Sequence, residues 1–304
     1  MPARSSLHWR AISQALFVTF LWSTSWVLIK IGLGNIPALT FAGLRYSLAF
    51  LFLFPFAFNR ERLAVLRCLP RREWARLAAL GLLLYAVTQG AQFVALSFLP
   101  AITVSLLLNF TTVCVALLSI YFLGERPTPL QWFGIALCLG GGLVFFYPVS
   151  LRADEPLGLI VALIGVLTNA VSAIMGRSIN RAAHLDPLIV TIVSMGVGSM
   201  VLLAGGISFR GLPSLAYTDW LIIGWLALAN TAFAFTLWNH TLRTLSAVES
   251  SLVNSTMLIQ IAVLAWVFLG ERITPQKGIG MALVALGVVI VQLRRRQEIS
   301  PQRT

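Results

Sequence analysis

The sequence predicts an all-α membrane protein of ten transmembrane helices, built from two inverted five-helix repeats, and three observations point there. Apolar residues make up 58% of the 304-residue chain and charged residues 11%, against roughly 45–50% and 25% in soluble domains. The apolar residues gather into long runs, each close to the roughly 20 residues needed to cross a bilayer core of about 30 Å. One stretch is also written twice: Leu123 to Pro129 reads LGERPTP, and Leu269 to Pro275 reads LGERITP.

The runs place spans at 11–33, 38–58, 75–96, 101–123, 129–148, 156–176, 187–207, 218–239, 247–269 and 276–293. Arg4 and Arg10 followed by an apolar run resemble the start of a signal peptide. The run is too long for a typical apolar region of that kind and lacks a convincing small-residue cleavage site. It also carries Trp22, Trp26 and Lys30, so it reads as the first span. The duplicated stretch keeps an offset of 146 residues (269 − 123) through Gly134/Gly280, Ala136/Ala282, Leu137/Leu283 and Gly141/Gly287. A register preserved across a loop and a helix argues for duplication of one ancestral unit. The halves are then 1–148, with helices one to five, and 149–304, with helices six to ten and a basic tail. An odd number of crossings per half forces the second to insert upside down relative to the first.

Inside the repeated motif, glycine can end a helix in the left-handed conformation, threonine can cap the next helix, and proline fits its first turn. Gly124 therefore closes one helix and Thr128-Pro129 opens another. Glu125-Arg126 and Glu271-Arg272 read as local ion pairs that order a tight turn rather than as catalytic groups.

The net charge of +12 would suggest nucleic acid in a soluble protein. With a cytoplasmic amino terminus, however, the inner segments collect Arg4, Arg10, Arg60, Arg62, Arg67, Arg71, Arg72, Arg76, Arg126, Arg177, Arg181, Arg243, Arg294, Arg295, Arg296 and Arg303. The outer loops hold only Arg152, Arg210, Arg272 and Lys277. This asymmetry puts both termini inside and absorbs the basic excess, leaving no case for nucleic acid. The loop 59–76 then serves as an orientation signal with some attraction to anionic lipid. Cys68, Cys114 and Cys138 are odd in number and far apart, the pattern of packing residues rather than of a disulfide framework or a metal site.

Two cations fall within spans. Lys30 sits near an outer helix end, from which its side chain can snorkel to the interface. Arg45 lies deeper and should face the bundle interior or a wet cavity, paired with a substrate carboxylate or with helix carbonyls. The acidic residues fall in loops or at span ends, with only Glu249 entering a helix, which favours facilitated diffusion or exchange over carboxylate-based proton coupling.

Neutral polar and aromatic side chains gather near the helix midpoints. They include Trp22, Ser23, Ser25 and Trp26 in the first span, Tyr85, Gln89 and Gln92 in the third, and Asn109 and Thr112 in the fourth. Thr168 and Asn169 follow in the sixth, Asn230, Thr231, Trp238 and Asn239 in the eighth, and Ser251, Asn254, Ser255 and Gln260 in the ninth. Taken singly, such groups serve as interhelical hydrogen-bond glue as readily as ligand contacts. Together, at the depth where repeats meet, they outline a substrate cavity. The substrate-binding set is Trp22, Ser25, Trp26, Arg45, Tyr85, Gln89, Asn109, Thr112, Asn169, Asn230, Trp238, Asn254 and Gln260. No nucleophile with a nearby base and no metal-ligand cluster is visible, so no enzyme chemistry, cofactor or metal is expected. The recurrent glycines permit close helix contact, which serves a monomer as readily as a dimer, and a monomer is the expectation.

The chain resembles the drug/metabolite transporter superfamily, specifically the EamA-type exporters with ten helices and two five-helix repeats. The likeness is carried by Leu123 to Pro129 and Leu269 to Pro275, by Trp22 and Lys30 in the first span, and by Pro37 with Arg45 around the second. Among these exporters it is most similar to the YddG-type aromatic amino-acid exporters, a likeness of the whole chain rather than of a diagnostic motif. The resemblance implies an inner-membrane exporter of amino acids, aromatic and other neutral ones, or of similar small metabolites. It implies alternating access through a central cavity and no catalytic residues. Export of another metabolite or a drug is the alternative within the family, and a membrane-embedded enzyme or a scaffold lies outside it.

Overall fold

A computed structural model of the chain describes residues 2–57, 59–123, 128–147, 155–181, 185–241, 253–254 and 256–293. Every regular element among them is helical. In chain order these are α1 (Pro2–Gly32), α2 (Ala38–Leu53), α3 (Arg60–Cys68), α4 (Arg71–Gly81), α5 (Gly90–Phe98), α6 (Ala101–Asn109) and α7 (Thr111–Leu123). They continue with α8 (Pro129–Phe146), α9 (Glu155–Arg181), α10 (Pro187–Arg210), α11 (Tyr217–Ala227), α12 (Ala234–Thr241), α13 (Met257–Leu269) and α14 (Pro275–Leu293). Two π-helical stretches, Leu82–Gln89 and Leu228–Phe233, join α4 to α5 and α11 to α12 without a break.

Among the described residues seven helices are long and apolar enough to cross a membrane: Trp9–Gly32, Ala38–Ala57, Arg71–Phe98, Ala101–Leu118, Pro129–Phe146, Glu155–Gly176 and Leu188–Phe209. The predicted eighth span coincides with the helical run formed by α11, the second π stretch and α12. The shorter apolar helices Met257–Leu269 and Pro275–Val291 coincide with the end of the ninth span and with the tenth. On α9 the side chains of Leu157, Ile160, Leu163, Ile164 and Leu167 are exposed, an apolar face that suits lipid rather than water.

The motif chemistry builds these helices as expected where it is described. Thr128 caps α8, accepting from the Gln131 amide while the Gln131 side chain accepts from the Thr128 amide at 2.8 Å, and Pro129 takes the first turn. In the second copy Gly270 closes α13 at φ 67°, and the Thr274 hydroxyl accepts from the Lys277 amide at 3.3 Å. Glu271 departs from the ion-pair reading. Its carboxylate accepts from the amides of Ala101 at 2.6 Å and Ile102 at 3.0 Å, capping α6 from 170 residues away in sequence. Two charge-assisted bonds to amides that lack intrahelical partners outweigh an exposed local ion pair. Gly124, Glu125, Arg126 and Pro127 lie outside the described residues.

The structure repeats where the sequence does. Residues 111–123 and 257–269 are both single helices of 13 residues, α7 and α13, and 257 − 111 = 146. Just before each, an amide bonds three residues back, Phe110 to Leu107 and Thr256 to Val253, at the same offset. The π stretches begin at Leu82 and Leu228, again 146 apart (228 − 82).

The chain divides into two compact units. Unit one comprises Met1–Val27, Pro100–Ala153 and Ala234–Thr304. Its tightest packing is between the equivalent helices α8 and α14. Gly134 meets the backbone of Gly287, and Gly141 meets that of Gly280, so the two helices run antiparallel with glycine against glycine. A side chain at any of the four would press within 3 Å of the facing helix, and glycine alone permits that approach. Unit two comprises Leu28–Leu99 and Asp154–Phe233. There α10 packs on α2, with Gly43 against the Leu203 backbone and Gly206 against Leu39 and Thr40. Leu77, Leu80, Ile179, Ile189, Val190 and Val193 form a core beneath α3. An Arg62 Nε to Asp186 bond of 2.7 Å ties α3 to the cap of α10. Burial pulls the Asp186 carboxyl upward, but the Leu188 amide and Arg62 together hold it below the usual carboxylate value.

Candidate functional site

The predicted binding residues divide between the two units, and each unit assembles its own polar group. In unit one α1 supplies Trp22, whose ring centroid lies 5.2 Å from those of Phe235 and Trp238, tilted by 55° and 50°. Offset and tilted ring pairs of this kind are favourable beyond the area they bury. Trp238 also packs beside Ala11 and Ala15, and beside Val18, Leu21 and Ala234. Trp26 is buried, and the Ser25 hydroxyl donates back to the Trp22 carbonyl at 2.6 Å. Ser25 therefore spends its proton on its own helix, a common use of a hydroxyl in an apolar helix.

Gln260 on α13 is tied to α1. Its Oε1 accepts from the Ser23 hydroxyl at 2.9 Å, and its Nε2 donates to Thr256 Oγ1 at 3.0 Å and Thr19 Oγ1 at 3.3 Å. Its amide is thus engaged on both the donor and the acceptor side, which is the interhelical glue use of such a residue. Thr19 and Ser23 are fully buried in this network. At the end of α6 the Asn109 amide donates to the Ser105 carbonyl at 2.8 Å, where the chain turns at Phe110 before α7. Thr112 stands half-buried in the first turn of α7, and Asn254 is exposed. Ser251, Ser255 and Glu249 lie outside the described residues.

In unit two Arg45 is 5% exposed on α2. Its Nε donates to the Thr231 hydroxyl at 3.1 Å, and its guanidinium stands 5.2 Å from the Tyr46 ring centroid and 6.0 Å from that of Phe93. Cation–π contact of this kind partly compensates a desolvated cation. Thr231 in turn donates to the Leu226 carbonyl at 2.9 Å, five residues back, so Arg45 grips the second π stretch through a hydroxyl that also satisfies it. Tyr85, on the first π stretch, meets Tyr46 edge to face at 5.5 Å. Asn230 is fully buried beside Thr231, while Gln89 and Asn169 are half-buried.

A second threonine plays the matching role on the first π stretch. Thr88 donates to the Leu83 carbonyl at 2.8 Å and to Thr168 Oγ1 on α9 at 2.9 Å. The Lys30 ammonium donates to the Leu96 carbonyl and, at 2.7 Å, to that of Leu99, capping the end of α5. Helix C-termini present unpaired carbonyls that a cation satisfies well. Thr19, Ser23, Thr88, Lys30, Thr231 and Glu271 are thus the structural keystones that the substrate set omits. Ser23 and Thr231 carry a sequence signal as mid-span polar groups, Lys30 as a cation near a span end and Glu271 as part of the repeated motif, whereas Thr19 and Thr88 carry none.

Comparison with known proteins agrees with this architecture. The model of the EamA-like transporter family matches residues 9–147 and again 156–293, one match in each half. The chain is 28% identical over 290 residues to the uncharacterized inner membrane transporter YedA of Escherichia coli (strain K12), covering 92% of this chain and 90% of that one. It is 27% identical over 287 residues to a protein of the same strain named probable amino-acid metabolite efflux pump, covering 91% and 92%. It is 24% identical over 276 residues to the uncharacterized transporter YoaV of Bacillus subtilis (strain 168), covering 89% and 92%. A solved crystal structure at 20% identity superposes with a TM-score of 0.67 over 94% of this chain and 99% of that one, a likeness of fold.

Proposed function

The chain belongs to the EamA-like transporter family, and from that premise we propose that it exports amino acids, aromatic and other neutral ones, or similar small metabolites across the inner membrane. The observation that carries this reading is Arg45, buried with a hydroxyl and two aromatic rings about its guanidinium. Its neighbours among the described residues are neutral, and a buried cation so placed gains from an incoming carboxylate, which supplies a counter-charge in a low-dielectric site. The Trp22, Phe235 and Trp238 rings give a wall suited to an aromatic or aliphatic side chain. A relative bearing the name amino-acid metabolite efflux pump supports the same class of solute.

The transport cycle follows from the duplication. Ten spans in two inverted halves, 1–148 and 149–304, with both termini cytoplasmic, expose a central site to one side at a time. The candidate contacts are those read from the sequence: Arg45, Tyr85, Gln89, Asn169 and Asn230 in unit two, and Trp22, Ser25, Trp26, Asn109, Thr112, Trp238, Asn254 and Gln260 in unit one, of which Ser25 and Gln260 already bond within their own unit. Small neutral groups and Arg45 hold the backbone ends of the solute, and apolar walls accept varied side chains. Transport is facilitative or by exchange, and the chain works as a monomer.

Efflux from preloaded cells tests this reading. Cells producing the protein should release labelled phenylalanine and threonine faster than cells producing Arg45→Gln at equal membrane abundance. Equal release from both, and from cells lacking the protein, would contradict it.

A further inference from the structure

The connection between the membrane-crossing helices Ala38–Ala57 and Arg71–Phe98 is short, and 9 of its residues form α3. A helix of that length measures about 13 Å, so a segment tethered to spans at both ends stays at the membrane surface. Its place there is fixed from one side. Leu66 and Leu69 pack against the core of Leu77, Leu80, Ile179 and Ile189. Arg62 donates from Nε to Asp186 at 2.7 Å and from Nη1 to the Phe56 carbonyl at 2.8 Å. Exposed rings precede and follow α3 in the chain, Phe56 and Trp74, and Val65 on α3 is exposed as well. Tryptophan at the end of a span marks the headgroup level of a bilayer.

Residues 60–76 hold six arginines against two glutamates, Glu61 and Glu73. Two of the six are spent inside the protein: Arg62 as above, and Arg76 on Glu73 at 2.9 Å and on the Ser178 hydroxyl at 3.2 Å. Arg60, Arg67, Arg71 and Arg72 are exposed and have no ion-pair partner among the described residues. Arg60 and Arg67, two helical turns apart, share one face of α3, and Arg71 and Arg72 open α4. Unpaired cations held on a packed helix at headgroup depth call for negative charge in the same layer, and anionic lipid supplies it. We propose that α3 and the start of α4 form a docking platform for anionic phospholipid headgroups. Arg60, Arg67, Arg71 and Arg72 meet the phosphate oxygens, which a guanidinium can grip with two parallel hydrogen bonds. Phe56, Val65 and Trp74 rest among the upper acyl chains. An orientation signal acts during insertion and needs charge alone, whereas this platform retains particular lipids on the folded protein. It requires that the chain spans a membrane and stands whichever solute is carried.

Native mass spectrometry of the purified full-length protein in detergent tests the platform. The protein is offered equal amounts of dioleoyl phosphatidylglycerol and dioleoyl phosphatidylcholine, and the retained lipid is read from the mass. Phosphatidylglycerol should be retained about tenfold over phosphatidylcholine. That preference should be lost when Arg60→Gln, Arg67→Gln, Arg71→Gln and Arg72→Gln are combined, and should persist when the same four positions become Lys, which keeps the charge. Because none of the four is ion-paired, the combined Gln variant should unfold at the same temperature as the original in lipid-free detergent, so that lost preference is not lost folding. Equal retention of the two lipids by the original protein, or a preference that survives the four Gln substitutions, would overturn the proposal.

Discussion

Arg45 and Trp22 carry most of the proposed solute chemistry, and each has a competing structural use. Arg45 holds the second π stretch through Thr231, so its removal leaves a buried hydroxyl and loosens that segment as well as removing a charge. Arg45→Gln, which keeps a donor of similar reach, should still reach the membrane in normal amount while transport falls about tenfold or more, as expected for a charge-assisted contact to a carboxylate. Unchanged flux in that variant would take Arg45 out of the binding site. Trp22→Ala should reduce transport of phenylalanine and tryptophan more than that of threonine, measured as initial rates, because an aromatic solute loses a stacking partner. Equal losses for all three would make Trp22 a packing residue of the Phe235 and Trp238 cluster. Both residues stood out in the sequence because a charge or a large ring at mid-span is costly or conspicuous. Thr19 and Thr88 did not, since a hydroxyl in an apolar helix looks the same whether it bonds its own backbone or a neighbouring helix.

At the scale of elements, the recurring motif proved to cap helices at both ends. Thr128 and Thr274 open α8 and α14 as the spacing implied, whereas Glu271 reaches to the amides of α6 rather than to its neighbour Arg272. That distinction needs the tertiary fold, because Ala101 and Glu271 are far apart in the chain. Glu271→Ala should lower stability by about 1 kcal/mol through loss of the cap, read as a drop in the midpoint of thermal unfolding, while Glu271→Gln should retain part of it. Equal midpoints for Glu271→Ala and the unmodified protein would show that the cap adds nothing. The glycine pairs make a sharper case. Gly287→Val, against the backbone of Gly134 and the Cys138 side chain, should cost about 1–3 kcal/mol through overpacking. Gly140→Val, which meets nothing within 4 Å, should be nearly silent in the same unfolding assay. The π stretches were illegible beforehand: Leu82–Gln89 and Leu228–Phe233 have the composition of ordinary apolar helix, and one extra residue per turn leaves no mark on it.

At the scale of the whole molecule, the duplication was readable from a constant offset, and α7 with α13, the paired turns at Phe110 and Thr256, and the two π stretches all keep that offset. The grouping into compact units was not readable, because each unit draws segments from both halves of the sequence and depends on which helices meet after folding. Helix length was likewise legible only in part: the eighth span is a composite of α, π and α segments that a hydropathy run presents as one. The transported solute is a property of the assembled site and is tested on the intact protein. Purified protein in liposomes, loaded with unlabelled amino acids and diluted into labelled phenylalanine, tryptophan, threonine or methionine, measures counterflow with and without a pH gradient. Saturable uptake of label without any gradient is the predicted result and establishes a facilitative amino-acid carrier. Absence of exchange for every amino acid under every gradient, in folded and correctly inserted protein, would contradict it.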